Sequence, residues 1–171
     1  MHQQGFSLLQ LMIATAVAGV LMHLALPHYQ GMTQGLRRQV LAQELHDSLR
    51  VARTEAVLRG RDVLMHPLEG NWANGWRIVV APDEAVLRVH QGNPKVRVQG
   101  NGPVREQVRF NANGWGRLEG GGFLAGTIHV CDGLGYSDYQ VVVAMSGRVH
   151  LTNKRAHEAL CSVQRSDRLD A

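Results

Sequence analysis

The residues that could do chemistry are numerous but poorly assembled. Nine histidines are present, enough to prompt a search for a metal site. There is no HExxH, HxH or CxxC spacing, and a protein-built metal site needs three or four ligands brought together. His129 and Cys131 alternate along the segment TIHVC (127–131), which puts both on one face of a strand, but no further ligands accompany them. They read as part of a set of scattered surface and sheet-face histidines, and no metal or cofactor is expected. Catalytic constellations are lacking as well. Gly133-Leu134-Gly135 is only a fragment of a dinucleotide fingerprint, neither GxSxG nor a phosphate loop occurs, and Glu119 and Glu158 have no evident partner carboxylate. The sequence does not read as an enzyme.

Two features remain. Cys131 and Cys161 are the only cysteines, so the chain holds one disulfide or two free thiols and is no disulfide scaffold. Cations gather toward the C-terminus: Arg148, Lys154 and Arg155, with His150 nearby and Arg165 and Arg168 beyond. Ser146-Gly147 reads as the turn into a strand over 148–152, on which Arg148 and His150 share a face. Two or three cations on a strand and its loop can neutralise phosphates. The same pattern also serves as a solvated basic edge that discourages edge-to-edge association.

A chain of 171 residues must position these groups, a length that suits one domain and an appendage. With 44% hydrophobic residues it is not disordered, and with 5% aromatics it has no base-stacking surface. Net charge is +4, too modest for a nucleic-acid coat. All 32 charged residues lie from Arg37 onward. Ahead of them, residues 6–26 (FSLLQLMIATAVAGVLMHLAL) carry only Ser7, Gln10, Thr15 and His23 as polar interruptions. About 20 apolar residues suffice for a membrane-spanning helix, and a run that is apolar all round is what a lipid-facing helix looks like. A secretory signal peptide is the competing assignment. It would carry a charged n-region and a small-residue exit site, whereas no Lys or Arg precedes this run and LALPHYQ follows it.

From Pro27 to about Gly60 the spacing predicts an amphipathic helix with a stripe of Leu36, Val40, Leu41, Leu45, Leu49, Ala52, Ala56 and Val57. Gly31 and Gly35 weaken its first turns, and Gly60 is a stop signal. After Pro67 the pattern changes to short strands between glycine-rich turns: 76–80, 84–90, 95–99, 107–111, 127–131, 139–145 and 148–152. The class is α+β, with a long N-terminal helix packed across an antiparallel sheet.

The segment GFSLLQLMIATAVAGVLMHLALPHY resembles the N-terminus of type IV pilins and type II secretion pseudopilins. The resemblance implies a prepilin leader, 1–5, cut by a prepilin peptidase between Gly5 and Phe6, with N-methylation of Phe6. It also implies a transmembrane helix over 6–26, an amphipathic continuation over 27–60 that contains the family's kinking proline at Pro27, and a β-rich periplasmic domain over 61–171. The protein would be a single-pass inner-membrane subunit with a cytoplasmic N-terminus, later packed among other pilins or pseudopilins. Both cysteines would then lie in an oxidising compartment, where a Cys131–Cys161 disulfide can persist. The fifth mature residue is normally Glu in that family, a carboxylate thought to pair with the N-terminal ammonium of a neighbour; here it is Gln10. An amide cannot neutralise that charge, and a subunit with nothing ahead of it loses least. Gln10 therefore points to a tip or initiator position, or to drift in a low-copy subunit.

Ala52-Arg53-Thr54-Glu55-Ala56 with Arg59-Gly60, then Asn74-Gly75-Trp76, Phe110-Asn111-Ala112-Asn113-Gly114, the strand ending at Asp132, and Ser146-Gly147-Arg148-Val149 are similar in order to the GspH/FimT type. Some FimT-type minor pilins bind DNA for natural transformation, and the resemblance places a Gly-Arg-x-Arg motif at Gly147-Arg148-Val149-His150. The second position is His150 here, which lacks the guanidinium fork. Three roles are implied: a structural or priming subunit at the filament tip, a receptor for double-stranded DNA acting through Arg148, His150, Lys154 and Arg155, and a type II secretion pseudopilus subunit whose tip meets exoprotein substrate or secretin.

Overall fold

The computed structural model describes residues 8–162, without the side chains at 20 and 22–31. Gly5, Phe6, Arg165 and Arg168 lie outside the described residues. The helix α1 spans Leu8–Arg59, with Gln10 and Pro27 inside it. Its end is set by backbone chemistry. Gly60 adopts φ 61°, its N–H donates to the carbonyl of Val57, and Arg61 N–H donates to that of Ala56. These two bonds form a Schellman cap, which satisfies carbonyls that would otherwise face no donor.

The chain divides into two compact units at Leu36/Arg37. In the first, Leu8, Leu9, Leu11, Met12, Ile13, Val17 and Leu21 are all more than half exposed. Thr15 turns its hydroxyl back to the carbonyls of Leu11 and Met12, so the helix carries that group without needing water. Among the described residues no helix is long and apolar enough to cross a membrane. The expected transmembrane helix over 6–26 lies partly outside the described residues.

The second unit holds the rest of α1 and ten strands. These are β1 (Val63–Pro67), β2 (Gly75–Val80), β3 (Ala85–Gln91), β4 (Arg97–Gly100), β5 (Val108–Phe110), β6 (Gly116–Arg117), β7 (Gly126–Cys131), β8 (Tyr136–Val143), β9 (Val149–Thr152) and β10 (Ala156–His157). They form two antiparallel sheets rather than one. The first runs β3-β2-β1-β5-β6 and the second β10-β8-β7-β4, with β9 also on β8. Leu41, Leu45, Leu49, Ala52 and Ala56 of α1 share one buried cluster with Val63, Met65, Ile78 and Phe110 of the first sheet and Ile128, Val130, Val141 and Val143 of the second. The helix stripe is narrower than its periodicity implies: Leu36, Val40 and Val57 are exposed, while Ala42 and Ser48 are buried. All buried residues described lie between Leu41 and Cys161, so the second unit contains a complete core of its own.

Candidate functional site

The cationic edge is held by a corner where three separated segments meet. Arg53, on α1, donates from Nε to the carbonyl of Gly114 at 2.9 Å. Gly114 closes the turn 111–114, in which Asn111 Oδ1 accepts from the N–H groups of Asn113 and Trp115. Gly147 closes the turn from β8 into β9, with its N–H on the carbonyl of Ala144 and φ at 74°. A Cβ on Gly147 would stand 1.8 Å from the same Gly114 carbonyl oxygen. Only glycine permits both the left-handed conformation and this approach. Arg53, the Asn113-Gly114 turn and the Ser146-Gly147 turn therefore fix where β9 begins.

Arg148 and His150 are exposed on either side of Val149, which is buried. They share a face, as their spacing requires. β9 pairs with β8 alone among the described strands, in the register Val143↔Val149 to Gln140↔Thr152. Lys154 is exposed beyond its end. Arg155 is differently placed. Its Nη2 lies 2.6 Å from Asp132 Oδ2, its Nε lies 3.4 Å from Asp138 Oδ1, and its guanidinium stacks 4.4 Å from the Tyr136 ring centroid. Burial works against ionisation of Asp132, but the Arg155 bond and the N–H groups of Leu134 and Tyr136 outweigh it and hold the carboxyl below its usual range. Arg155 is thus a structural ion-pair partner. Among the described residues, Arg148 and Lys154 have no carboxylate within 4 Å.

Cys131 and Cys161 are bonded, with Cα atoms 5.4 Å apart and both residues buried. The bridge ties the segment after β10 to β7. Arg97 reinforces it by donating to the carbonyls of Leu160 and Ser162. His129, on the same strand as Cys131, is buried with Nδ1 3.1 Å from Ser137 Oγ and Nε2 3.7 Å from Glu158 Oε2. Burial pushes its pKa below the usual value, and the Glu158 charge offsets part of that. Among the described residues no group of three His, Cys, Asp or Glu is placed to hold a metal ion.

The family model described as type II transport protein GspH matches residues 41–147. The chain belongs to the GspH family. The match spans the buried half of α1, the whole first sheet, β4, β7 and β8 of the second, and the Gly114–Gly147 contact. Two crystal forms of the type IV minor pilin FimU from Pseudomonas aeruginosa PAO1 are similar to this GspH-family chain. One is 27% identical with a TM-score of 0.60, covering 71% of this chain and 98% of that chain. The other is 25% identical with a TM-score of 0.59, covering 71% and 93%. No curated protein matches. The protein is a subunit of the minor pilin and pseudopilin class, with an α+β pilin fold.

Proposed function

We propose that this GspH-family chain is a low-copy subunit assembled at or near the tip of a type IV pilus or a type II secretion pseudopilus. It enters the inner membrane as a prepilin with a cytoplasmic N-terminus and a periplasmic folded unit, and it is cut by prepilin peptidase between Gly5 and Phe6. Residues 6–26 anchor it and then pack among the corresponding helices of other pilins or pseudopilins. The observation that carries this is the family match over residues 41–147, joined to an apolar run in a chain whose first 36 residues hold no Lys, Arg, Asp or Glu. The Cys131–Cys161 bridge supports an oxidising destination. Gln10 in place of a carboxylate favours a position with no subunit ahead of it. Pro27 would bend the helix by removing one backbone bond. The neighbouring genes decide between pilus and secretion system. Shearing filaments from cells and blotting for the subunit tests assembly: it should co-fractionate at far below the amount of the main subunit. A Gly5→Lys chain should stay in the membrane fraction. A wild-type subunit absent from the filaments would refute this role.

A second role, binding double-stranded DNA during uptake, is favoured by Arg148, His150 and Lys154 standing exposed along β9 and its loop. With Arg155 committed to Asp132 and Asp138, two full charges and one histidine remain there. Log affinity should then fall with log salt by about 0.9 for each phosphate neutralised, a slope near two. Unchanged binding in Arg148→Ala would count against it.

A further inference from the structure

The anchored corner also forms one wall of a polar cleft of about 330 Å³, lined by His46, Arg50, Arg53, Thr54, Arg148 and Val149. Four of these come from one face of α1, where residues three and four apart are neighbours. The other two begin β9. We propose that this cleft is an oxyanion site that takes a phosphate group. This goes beyond the edge formed by β9, because it requires the helix arginines.

Three arginines line the cleft, and among the described residues none of the three has a carboxylate within 4 Å. Among the same residues Arg38, Arg59, Arg61, Arg109 and Arg155 each meet one within that distance, whereas Arg37, Arg77, Arg88, Arg97, Arg105 and Arg117, like the cleft arginines, do not. Gathering three cations with Asp47 reaching only Arg50 costs energy that a bound anion recovers. Arg53 is already oriented: its Nε is fixed on Gly114, which leaves its two terminal nitrogens as a fork for two oxygens of one phosphate. Gly147 lies against the same carbonyl, and Arg148, which follows it, lines the cleft with Arg53. Thr54 gives its hydroxyl proton to the carbonyl of Arg50, so it offers the anion no donor. Asp47 follows the lining residue His46. It lies 2.9 Å from His46 Nδ1, accepts from Gln43, and has a charge that reaches Arg50. Arg53 and Arg148 therefore carry most of the unneutralised charge. The phosphate can be free, or it can belong to a phosphodiester strand.

The test uses the unit 37–171, which holds the whole described core and the disulfide. Sodium phosphate is titrated against it at constant ionic strength, with sodium chloride as the control, while the arginine Nε–H resonances are followed by NMR. Saturable shifts at Arg53 and Arg148, specific to phosphate, are expected. Arg50→Ala and Arg148→Ala should each weaken binding by about tenfold, and Lys154→Ala should not. Both arginines are exposed, and the circular dichroism spectrum of each variant verifies its fold. Competition by a short oligonucleotide, with the same dependence on Arg50, would assign the phosphate to a nucleic-acid strand; phosphate binding without competition would assign it to a free phosphate. Shifts equal in chloride, or binding indifferent to Arg50→Ala, would overturn the cleft. Oligonucleotide binding that needs Arg148 and Lys154 but not Arg50, without phosphate saturation, would retain the β9 edge as a DNA site and reject the cleft.

Discussion

Replacing Gly147 with Ala should be among the most damaging single-methyl changes in the molecule. The position has φ 74°, a conformation that costs a side-chain-bearing residue about 1 kcal/mol. The new Cβ would also stand 1.8 Å from the Gly114 carbonyl oxygen and 3.1 Å from Arg53 Nε. Neither the turn at 111–114 nor the start of β9 can remain in place, so the Arg53–Gly114 hydrogen bond is lost. A bond from a charged donor is worth about 1.5 kcal/mol or more. The total is about 3 kcal/mol, or a melting temperature lower by about 10 °C for a unit of this size. Gly133→Ala is the matched control: its φ is 86°, but nothing lies within 4 Å of its Cβ, so it should cost only about 1 kcal/mol. Urea unfolding of the 37–171 unit measures both. If Gly147→Ala costs no more than Gly133→Ala, the corner does not anchor β9 and the account of these motif residues is wrong.

Two further outcomes follow from the core. The disulfide closes a separation of 30 residues, which on the chain-entropy model contributes about 3–4 kcal/mol. A Cys131→Ala, Cys161→Ala double variant should melt well below the wild type, and an unchanged melting temperature would contradict the stapling role. His129 has a folded-state pKa held below its unfolded value by burial, with Glu158 opposing. Its neutral form is favoured in the folded unit, so its contribution is complete above about pH 6.5 and is lost as pH falls through the lower folded value. Unfolding curves at pH 7.5 and 5 should show a loss on acidification that is smaller in His129→Gln; equal losses would exclude His129 as a source.

Legibility followed the physics of exposure. The stripe of Leu41, Leu45, Leu49, Ala52 and Ala56 was readable because one face of α1 is buried and the other is wet. β1 was not, since Val63, Leu64 and Met65 are all buried, which leaves no alternation to see in a central strand flanked by β2 and β5. The division into two sheets was hidden because glycine punctuation marks where strands stop and not which strands pair. Arg148 and His150 could be placed on one face by period two alone. The commitment of Arg155 could not, because Asp132 and Asp138 approach it across the sheet from residues 17 to 23 positions away. Arg53 was visible as part of a motif, but its tie to Gly114 spans 61 residues, and only the fold brings the two together.

The most direct test of the central claim is the mass of the subunit's N-terminal peptide, purified from the cells that make it. A filament subunit of this class should begin at Phe6, carry an N-methyl group there, and lack residues 1–5. A chain that still begins at Met1, or one cut after the apolar run near Leu26, would contradict assembly through a retained N-terminal helix.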